Sequence, residues 1–223
     1  LDNKITTYMV KHDSYGNPIQ HEIANSPTIS HNMRMFHFWE FLERLDDAID
    51  LNANATVLIT DVRDVYFQES PFDMMGFLPK DTKFIVSGEC LPYEKEEWGK
   101  NNLESGFGQI FTSLSDLKSQ QILNVGAIMG EFPAMKELCH IIYSMTQGRH
   151  YPSDQSSFNV LMRTSLFTNS FIVSDRFAAH LGTTADPTKS HLWARLTETP
   201  PIITVDGEVL NTKSELYKIV HQW

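Results

Sequence analysis

Residues 56–72 read Thr-Val-Leu-Ile-Thr-Asp-Val-Arg-Asp-Val-Tyr-Phe-Gln-Glu-Ser-Pro-Phe, and this stretch decides the fold class. Its apolar, β-branched start is typical of a buried strand in a parallel sheet. Two acids, Asp61 and Asp64, end the apolar run. In open α/β sheets, ligands bind just beyond the carboxyl ends of such strands. We therefore expect both acids to face a crevice and to bind Mg²⁺ or Mn²⁺ there, with a phosphate on the ion.

Arg63 lies between the two acids, and the residues alone leave its role open. Its guanidinium could pair with one acid, or it could bind a ligand's phosphate through two parallel hydrogen bonds. The alternative is a solvated turn in which Arg63 only balances the acids. Both interpretations fit the stretch by itself.

The composition of this 223-residue chain is ordinary for a soluble globular protein, with 41% hydrophobic and 21% charged residues. The net charge of −10 argues against nucleic acid or an anionic membrane as a partner. No apolar stretch approaches the roughly 18–20 residues of a membrane span. Cys90 and Cys139 are too few and too scattered for a disulfide framework or a zinc site, so we expect two core thiols. We expect a soluble domain, with a cytoplasmic location favoured.

Strands alternate with helices along the chain, which predicts one α/β domain over residues 1–223. Its mixed, mostly parallel sheet should be flanked by helices. Strands are predicted over 4–10, 56–60, 83–87, 121–129, 202–205, 208–210 and 218–220, and helices over 31–46, 134–147 and 154–164. Residues 12–30 and 91–108 are predicted loops, Ser30 is the expected N-cap of the first helix, and Asp206-Gly207 is a hairpin signal.

A second polar feature interrupts the apolar strand predicted over 121–129. It reads Asn124-Val125-Gly126. Glycine within a strand often marks a close approach of backbone or ligand, and the Asn124 amide can both donate to and accept from sugar hydroxyls. A β-bulge with a turn-forming asparagine explains the same residues equally well.

Two further features lie at the ends of predicted elements. Ser153-Asp154-Gln155 opens a helix that runs through Asn159, so these side chains either reach into a cleft or only cap the helix. His221 ends the apolar run Ile219-Val220. An isolated histidine near a chain end is usually a surface residue. It becomes a candidate Mn²⁺ ligand if the acids of the first stretch share its cleft.

The order of these motifs resembles the retaining sugar-nucleotide glycosyltransferases of the GT-A fold, in particular family 8 enzymes of the glycogenin and lipopolysaccharyl-galactosyltransferase type. Those proteins carry an aspartate motif after an apolar strand, then Asn-Ala-Gly, then Asp-Gln with an asparagine five positions beyond the aspartate, and finally a histidine. The form at 61–72 is closer still to a looser group of GT-A-like proteins, some of them encoded by large viruses. The resemblance covers roughly residues 30–223.

The resemblance implies a GT-A fold and a metal-dependent glycosyltransferase that uses a nucleoside diphosphate sugar, most often a UDP-sugar, and a glycan or other hydroxyl acceptor, with retention of configuration. The roles it implies are as follows: metal ligands Asp61, Asp64 and His221 for Mn²⁺ or Mg²⁺; donor contacts Arg34, Asp61, Arg63, Asn124, Gly126 and Asn159; catalytic residues Asp154 and Gln155; and acceptor contacts Tyr93 and Trp98.

The chain departs from the family pattern in two respects. The family's aspartate motif usually has one residue between its acids, whereas two separate Asp61 from Asp64, and we favour Asp64 as the direct ligand. Only 55 residues precede Thr56, so either the fold is abbreviated at its start or the chain lacks its beginning. A sugar nucleotidyltransferase, a metal-dependent phosphohydrolase and a non-catalytic carbohydrate-binding protein on the same fold stay open as alternatives.

Overall fold

The computed structural model describes residues 27–48, 55–109, 116–147, 153–164, 167, 169–182, 188 and 199–222. The predicted strand over 4–10 and residues 12–26 of the predicted loop lie outside this part of the chain. The helices of the described part are α1 (Pro27–Ala48), α2 (Glu97–Phe107), α3 (Phe132–Thr146) and α4 (Asp154–Thr164). Its strands are β1 (Thr56–Thr60), β2 (Val65–Phe67), β3 (Phe84–Pro92), β4 (Gln121–Glu131), β5 (Phe171–Val173), β6 (Ala178–His180), β7 (Ile202–Ile203), β8 (Val209–Leu210) and β9 (Ile219–His221). The α/β class is confirmed.

The main sheet has the strand order β1-β4-β3-β5. The β1–β4 and β3–β4 pairs are antiparallel, and β3–β5 is parallel. The mixed character is therefore confirmed, but the parallel majority is not seen among the described strands. The expectation that Thr56–Thr60 is a strand of a parallel sheet is also wrong, because β1 pairs antiparallel with β4, its one described neighbour. Most of its residues are only half-buried.

The main sheet packs between helices on one face and a second sheet on the other. Alternate side chains of β3 supply the two cores, since successive residues of a strand point to opposite faces. Phe84 and Val86 join the helix-side core with Met35 and Phe158. Ile85 joins a core on the other face with residues that include Phe177 and Ile219.

The second sheet has the order β2-β9-β6, with β2–β9 antiparallel and β6–β9 parallel. A separate hairpin joins β7 to β8. Its turn contains Gly207, whose φ of 84° is a conformation that glycine adopts without steric cost. The hairpin predicted at Asp206-Gly207 is therefore confirmed.

The first helix begins earlier than predicted. It starts at Pro27, where the fixed φ of proline suits the first turn of a helix. Ser30 thus lies within α1 and is not its N-cap, and the predicted loop is wrong for residues 27–30. The helix predicted over 134–147 also starts earlier, at Phe132, with Pro133 in its first turn.

The largest error of the sequence-based assignment is the exposed loop over residues 91–108. This segment completes β3, makes a 3₁₀ turn and forms α2. The Glu96 carboxylate caps the helix by accepting hydrogen bonds from the backbone N–H groups of Trp98 and Gly99. Tyr93 and Leu103 anchor the segment in a small core of their own. Charged residues, asparagines and Gly99 between these anchors hide the helical period.

Both cysteines are buried, as predicted, and the Cys90 thiol donates a hydrogen bond to the carbonyl of Thr199. Burial raises the pKa of the Cys139 thiol to about 12. A search of the described helices finds none with the length and apolarity of a transmembrane span.

Candidate active site

Backbone hydrogen bonds bring the two acids of the first stretch to the end of β9. The N–H of Asp61 donates to the carbonyl of Gly126 at 2.9 Å. The carbonyl of Asp64 accepts from the N–H of Gln222 at 2.7 Å, and the next residue, Val65, pairs with His221 across the β2–β9 ladder. Residues more than 150 positions apart in sequence therefore meet at one place in the fold.

Asp61, Asp64 and His221 form a group that could hold a metal ion, with one ligand atom of each within 4.8 Å of the others. The His221 Nε2 atom lies 3.2 Å from Asp61 Oδ2 and 3.8 Å from Asp64 Oδ2. This nitrogen is buried and has no well-oriented hydrogen-bond partner in the described part of the chain. Two carboxylates and an imidazole suit Mn²⁺ or Mg²⁺, which would complete their coordination with phosphate or water oxygens. The residues therefore fit such an ion.

Gly126 allows His221 to take this position. A Cβ atom at Gly126 would overlap the Cε1 and Nε2 atoms of the His221 ring. The strand also has an irregular register here, because Val86 pairs with Ile128 while the next residue of β3 pairs with Asn124. The register shift fits the predicted bulge, and the imidazole makes the predicted close approach to the glycine; binding of a sugar by Asn124 stays a prediction.

Arg34 connects the metal-ligand group to the start of α4. Its guanidinium nitrogens lie 2.6 Å from Asp61 Oδ1 and 2.6 Å from Asp154 Oδ2. Burial acts to raise the pKa of Asp61, but contacts with His221 and Arg34 outweigh it, and the net pKa lies below its ordinary value. Asp61 thus stays ionised, with one oxygen on Arg34 and the other towards His221. Within the described part of the chain, neither oxygen of Asp64 pairs with an arginine, which agrees with its choice as the direct ligand.

A second cluster joins the amide motifs through a residue that the sequence interpretation did not single out. The Glu89 Oε1 atom accepts hydrogen bonds from Asn124 Nδ2 at 2.7 Å and from Gln155 Nε2 at 3.0 Å. Asn124 Oδ1 in turn accepts from the N–H of Gly126 at 2.6 Å, which links this cluster to the metal-ligand group. The site thus contains a carboxylate and two amides beside the three candidate metal ligands.

The Glu89 carboxylate is enclosed by protein, although part of the residue's surface stays accessible. Burial raises its pKa above the ordinary value, and the charge of Glu96 adds to the rise, while the hydrogen bonds from Asn124 and Gln155 oppose it. Perturbed carboxylates of this kind concentrate at functional sites.

Other predicted site residues lie in different surroundings. Asn159 is completely buried; its amide N–H groups donate to the carbonyls of Leu123 and Gln155, and its oxygen accepts from the N–H of Leu123. It supports the site and is not placed to contact a donor. The Ser153 hydroxyl donates a hydrogen bond to Oδ1 of Asn32, so Ser153 does not cap α4 through its side chain.

Three residues predicted to touch substrate have contrasting exposure. Tyr93 is 1% exposed and belongs to a core cluster, so its predicted acceptor role conflicts with its burial. Trp98 is 59% exposed and stays available for that role. Arg63 is exposed, and none of the described acids forms an ion pair with it. An exposed Arg63 fits both a solvated turn and a contact with a ligand's phosphate, so both interpretations of this residue stay open.

The sequence interpretation missed two residues that the fold brings to the site. Glu89 was detectable as an acid inside an otherwise apolar strand, Phe-Ile-Val-Ser-Gly-Glu-Cys-Leu. His180 lies beside His221 on the neighbouring parallel strand, with 2.8 Å between their Nδ1 atoms. Its signal was a repeated pattern, since β6 and β9 both read as two apolar residues followed by histidine.

No protein-family model matches the chain, and neither does any curated protein sequence. Solved structures are similar to it, and three of them each share 13% sequence identity with this chain. The first is a glycosyltransferase involved in glycosylation of the major capsid of PBCV-1, with a TM-score of 0.46 over 91% of this chain and 74% of the other.

The second similar structure is mouse xyloside xylosyltransferase 1 in its apo form, with a TM-score of 0.44 over 87% of this chain and 72% of the other. The third is an active-site mutant of LgtC, with a TM-score of 0.42 over 82% of this chain and 57% of the other. Similarities this distant assign no activity, so a function has to be supported by the site's own residues.

Proposed function

We propose that this chain is a metal-dependent glycosyltransferase that moves a sugar from a nucleoside diphosphate, in particular a UDP-sugar, to a hydroxyl acceptor on a glycan or another molecule. The supporting observation is the meeting of Asp61, Asp64 and His221 at one point, joined through Gly126 to an amide–carboxylate cluster. A cation site and a set of hydroxyl-binding groups are the two parts that a sugar nucleotide requires.

Asp64 and His221 hold the divalent cation directly, and Asp61 adds its oxygen that is free of Arg34. The bound ion supplies positive charge against the diphosphate, which stabilises it as a leaving group. A chain with a net charge of −10 needs such local positive charge to bind a diphosphate. Exposed Arg63, next to the acids, is available for a phosphate oxygen.

Asn124 and Gln155 bind the hydroxyl groups of the donor sugar. Each amide nitrogen donates one hydrogen to Glu89 and has a second that can donate to a ligand. Glu89 fixes the orientation of both amides and places negative charge beside the sugar, where it would stabilise positive charge that develops at the anomeric carbon. Asp154 keeps Arg34 in position, which leaves Gln155 and Glu89 as the residues nearest the reacting centre.

Retention of the anomeric configuration is part of the proposal and follows from the resemblance in motif order. For the acceptor, exposed Trp98 offers an aromatic face of the kind that stacks on a sugar ring.

Thermal unfolding tests the proposal directly. We expect UDP and Mn²⁺ together to stabilise the protein more than the sum of the two added singly, because the ion links the diphosphate to the acids. A ligand at about 100 times its Kd stabilises by about 2.7 kcal/mol, which for a chain of this size raises the Tm by about 5–11 °C. An equal shift with UDP in the presence of a chelator would contradict the metal-linked site.

Turnover separates the transferase from a phosphohydrolase and from a binding protein. We expect slow, Mn²⁺-dependent hydrolysis of at least one UDP-sugar, with release of UDP and free sugar and with the configuration of the released sugar read by NMR. Release of inorganic phosphate from the nucleotide would instead identify a phosphohydrolase. Tight sugar-nucleotide binding without hydrolysis or transfer to any of a panel of glycan acceptors would identify a binding protein.

A further inference from the structure

We propose that His180 and Ser87 are positioning residues that hold His221 in the tautomer able to bind the metal. This inference rests on the proposed function for the identity of the metal, but the contacts that carry it are independent of any ligand. Three buried side chains from three strands, β3, β6 and β9, form one hydrogen-bonded row that ends at the candidate metal site.

The row is built by the register of the second sheet. His180 and His221 are paired residues on the parallel strands β6 and β9, and the carbonyl of His221 accepts from the N–H of Leu181 at 2.9 Å. Their rings are nearly perpendicular, at 88°, with centroids 4.9 Å apart. The Nδ1 atoms face each other at 2.8 Å, and His180 Nε2 lies 2.7 Å from Ser87 Oγ.

The tautomers follow from what the metal requires. His221 can bind a cation through Nε2 only if that nitrogen carries no proton, so its proton must lie on Nδ1. The Nδ1–H group then donates to His180 Nδ1. Because one of the two facing nitrogens has to accept this hydrogen bond, the Nδ1 atom of His180 carries no proton. The remaining proton of His180 lies on Nε2 and donates to Ser87 Oγ.

Such an arrangement has a clear physical role. An imidazole that donates its second N–H to a fixed acceptor keeps its orientation and tautomer when the metal is absent, and loss of such a partner typically weakens metal binding by about 10- to 100-fold. His180 and Ser87 are fully enclosed, with 4% and 0% exposure, so water is a poor substitute for either.

An isosteric pair of variants tests the acceptor role. His180→Asn keeps a hydrogen-bond acceptor near the position of Nδ1. His180→Leu has nearly the volume of histidine but offers no acceptor. We expect the Mn²⁺ Kd, measured by electron paramagnetic resonance, to stay near the wild-type value in His180→Asn and to rise by about 10- to 100-fold in His180→Leu. Equal Mn²⁺ affinity in the two folded variants would overturn the proposal. His140→Gln, at an exposed histidine on α3, is the control for adventitious binding.

A second measurement needs neither metal nor activity. In the metal-free wild type with ¹⁵N-labelled histidine, at about pH 8.5 where free imidazole is neutral, we expect a slowly exchanging N–H proton at the His180–His221 pair. Rapid exchange at both rings would overturn the pairing. If the wild type shows this proton but binds no Mn²⁺, the proposed function fails while the pairing stands. Should His180→Leu not fold, Ser87→Ala replaces it: weaker Mn²⁺ binding supports the row, and unchanged binding removes Ser87 from it.

Discussion

Removal of the Arg34 charge should destabilise the fold strongly, because this residue is the cation between two carboxylates. Arg34→Met keeps much of the side-chain length and deletes the guanidinium. The Asp154 side chain is 5% exposed and lies 2.6 Å from Arg34, whereas the Asp61 side chain is 35% exposed. The two ion pairs should therefore contribute unequally.

Breaking a buried pair by removing one partner costs about 3–5 kcal/mol, and a pair near the surface contributes about 0–1 kcal/mol. We expect Arg34→Met to lower the free energy of unfolding by about 3–5 kcal/mol, nearly all of it from the carboxylate of Asp154. The corresponding fall in Tm is about 6–20 °C for a chain of this size.

Urea unfolding monitored by circular dichroism measures this loss, and two further variants locate it. Adding Asp154→Asn to Arg34→Met should restore much of the stability, since the buried charge is gone. Arg44→Met, on the same helix but at an exposed pair with Glu40, should cost only about 0.3–0.5 kcal/mol. If Arg34→Met costs no more stability than Arg44→Met, or if adding Asp154→Asn restores none of it, the unpaired charge of Asp154 is not the cause of the loss.

Three further predictions concern the site. Gly126→Ala should displace the ring of His221, weaken Mn²⁺ binding at least tenfold and lower the free energy of unfolding by ~1–3 kcal/mol. Gly76→Ala, with open space around it, should change neither Mn²⁺ binding nor stability, and equal Mn²⁺ titrations for the two variants would contradict this prediction. The lowered pKa of Asp61 stabilises the fold above the ordinary carboxyl pKa of 3.8, and this stabilisation is lost as the pH falls through the lower folded-state pKa. Asp61→Asn should therefore flatten the acid limb of a stability–pH profile, and an unchanged acid limb would contradict this role of Asp61. Glu89→Gln should lower the transfer rate by about 10²–10³-fold with UDP–Mn²⁺ affinity retained, and a kinetic assay with normal turnover would exclude a role of this carboxylate in the reaction.

The sequence was informative wherever a single element decided the outcome. The apolar run at 56–60 is a strand, and helix α4 has the predicted bounds, because the hydrophobic period acts within one element. The four polar motifs also stand at element ends or at a bulge, as their patterns indicated. The prediction that these motifs converge on one site rested on the order of the motifs, because no local rule states which element ends meet.

What the sequence did not reveal depends on pairings between distant strands. The antiparallel placement of β1 beside β4 is set by the whole sheet and leaves no mark in five residues. Glu89 and His180 each carried a local signal in the sequence, but only the neighbours supplied by other strands make them part of the site. Asn159 shows the reverse case, because a motif residue turned out to bind the backbone of β4.

The central claim is that one divalent ion held by Asp61, Asp64 and His221 contacts a nucleoside diphosphate. Relaxation of the ³¹P signals of UDP by Mn²⁺, measured in excess of the protein-free mixture, tests it most directly. We expect enhanced relaxation with the wild type and with Asp206→Asn, at an exposed acid in the hairpin turn, and no enhancement with folded Asp64→Asn. Equal enhancement with Asp64→Asn, or none with the wild type, would contradict it.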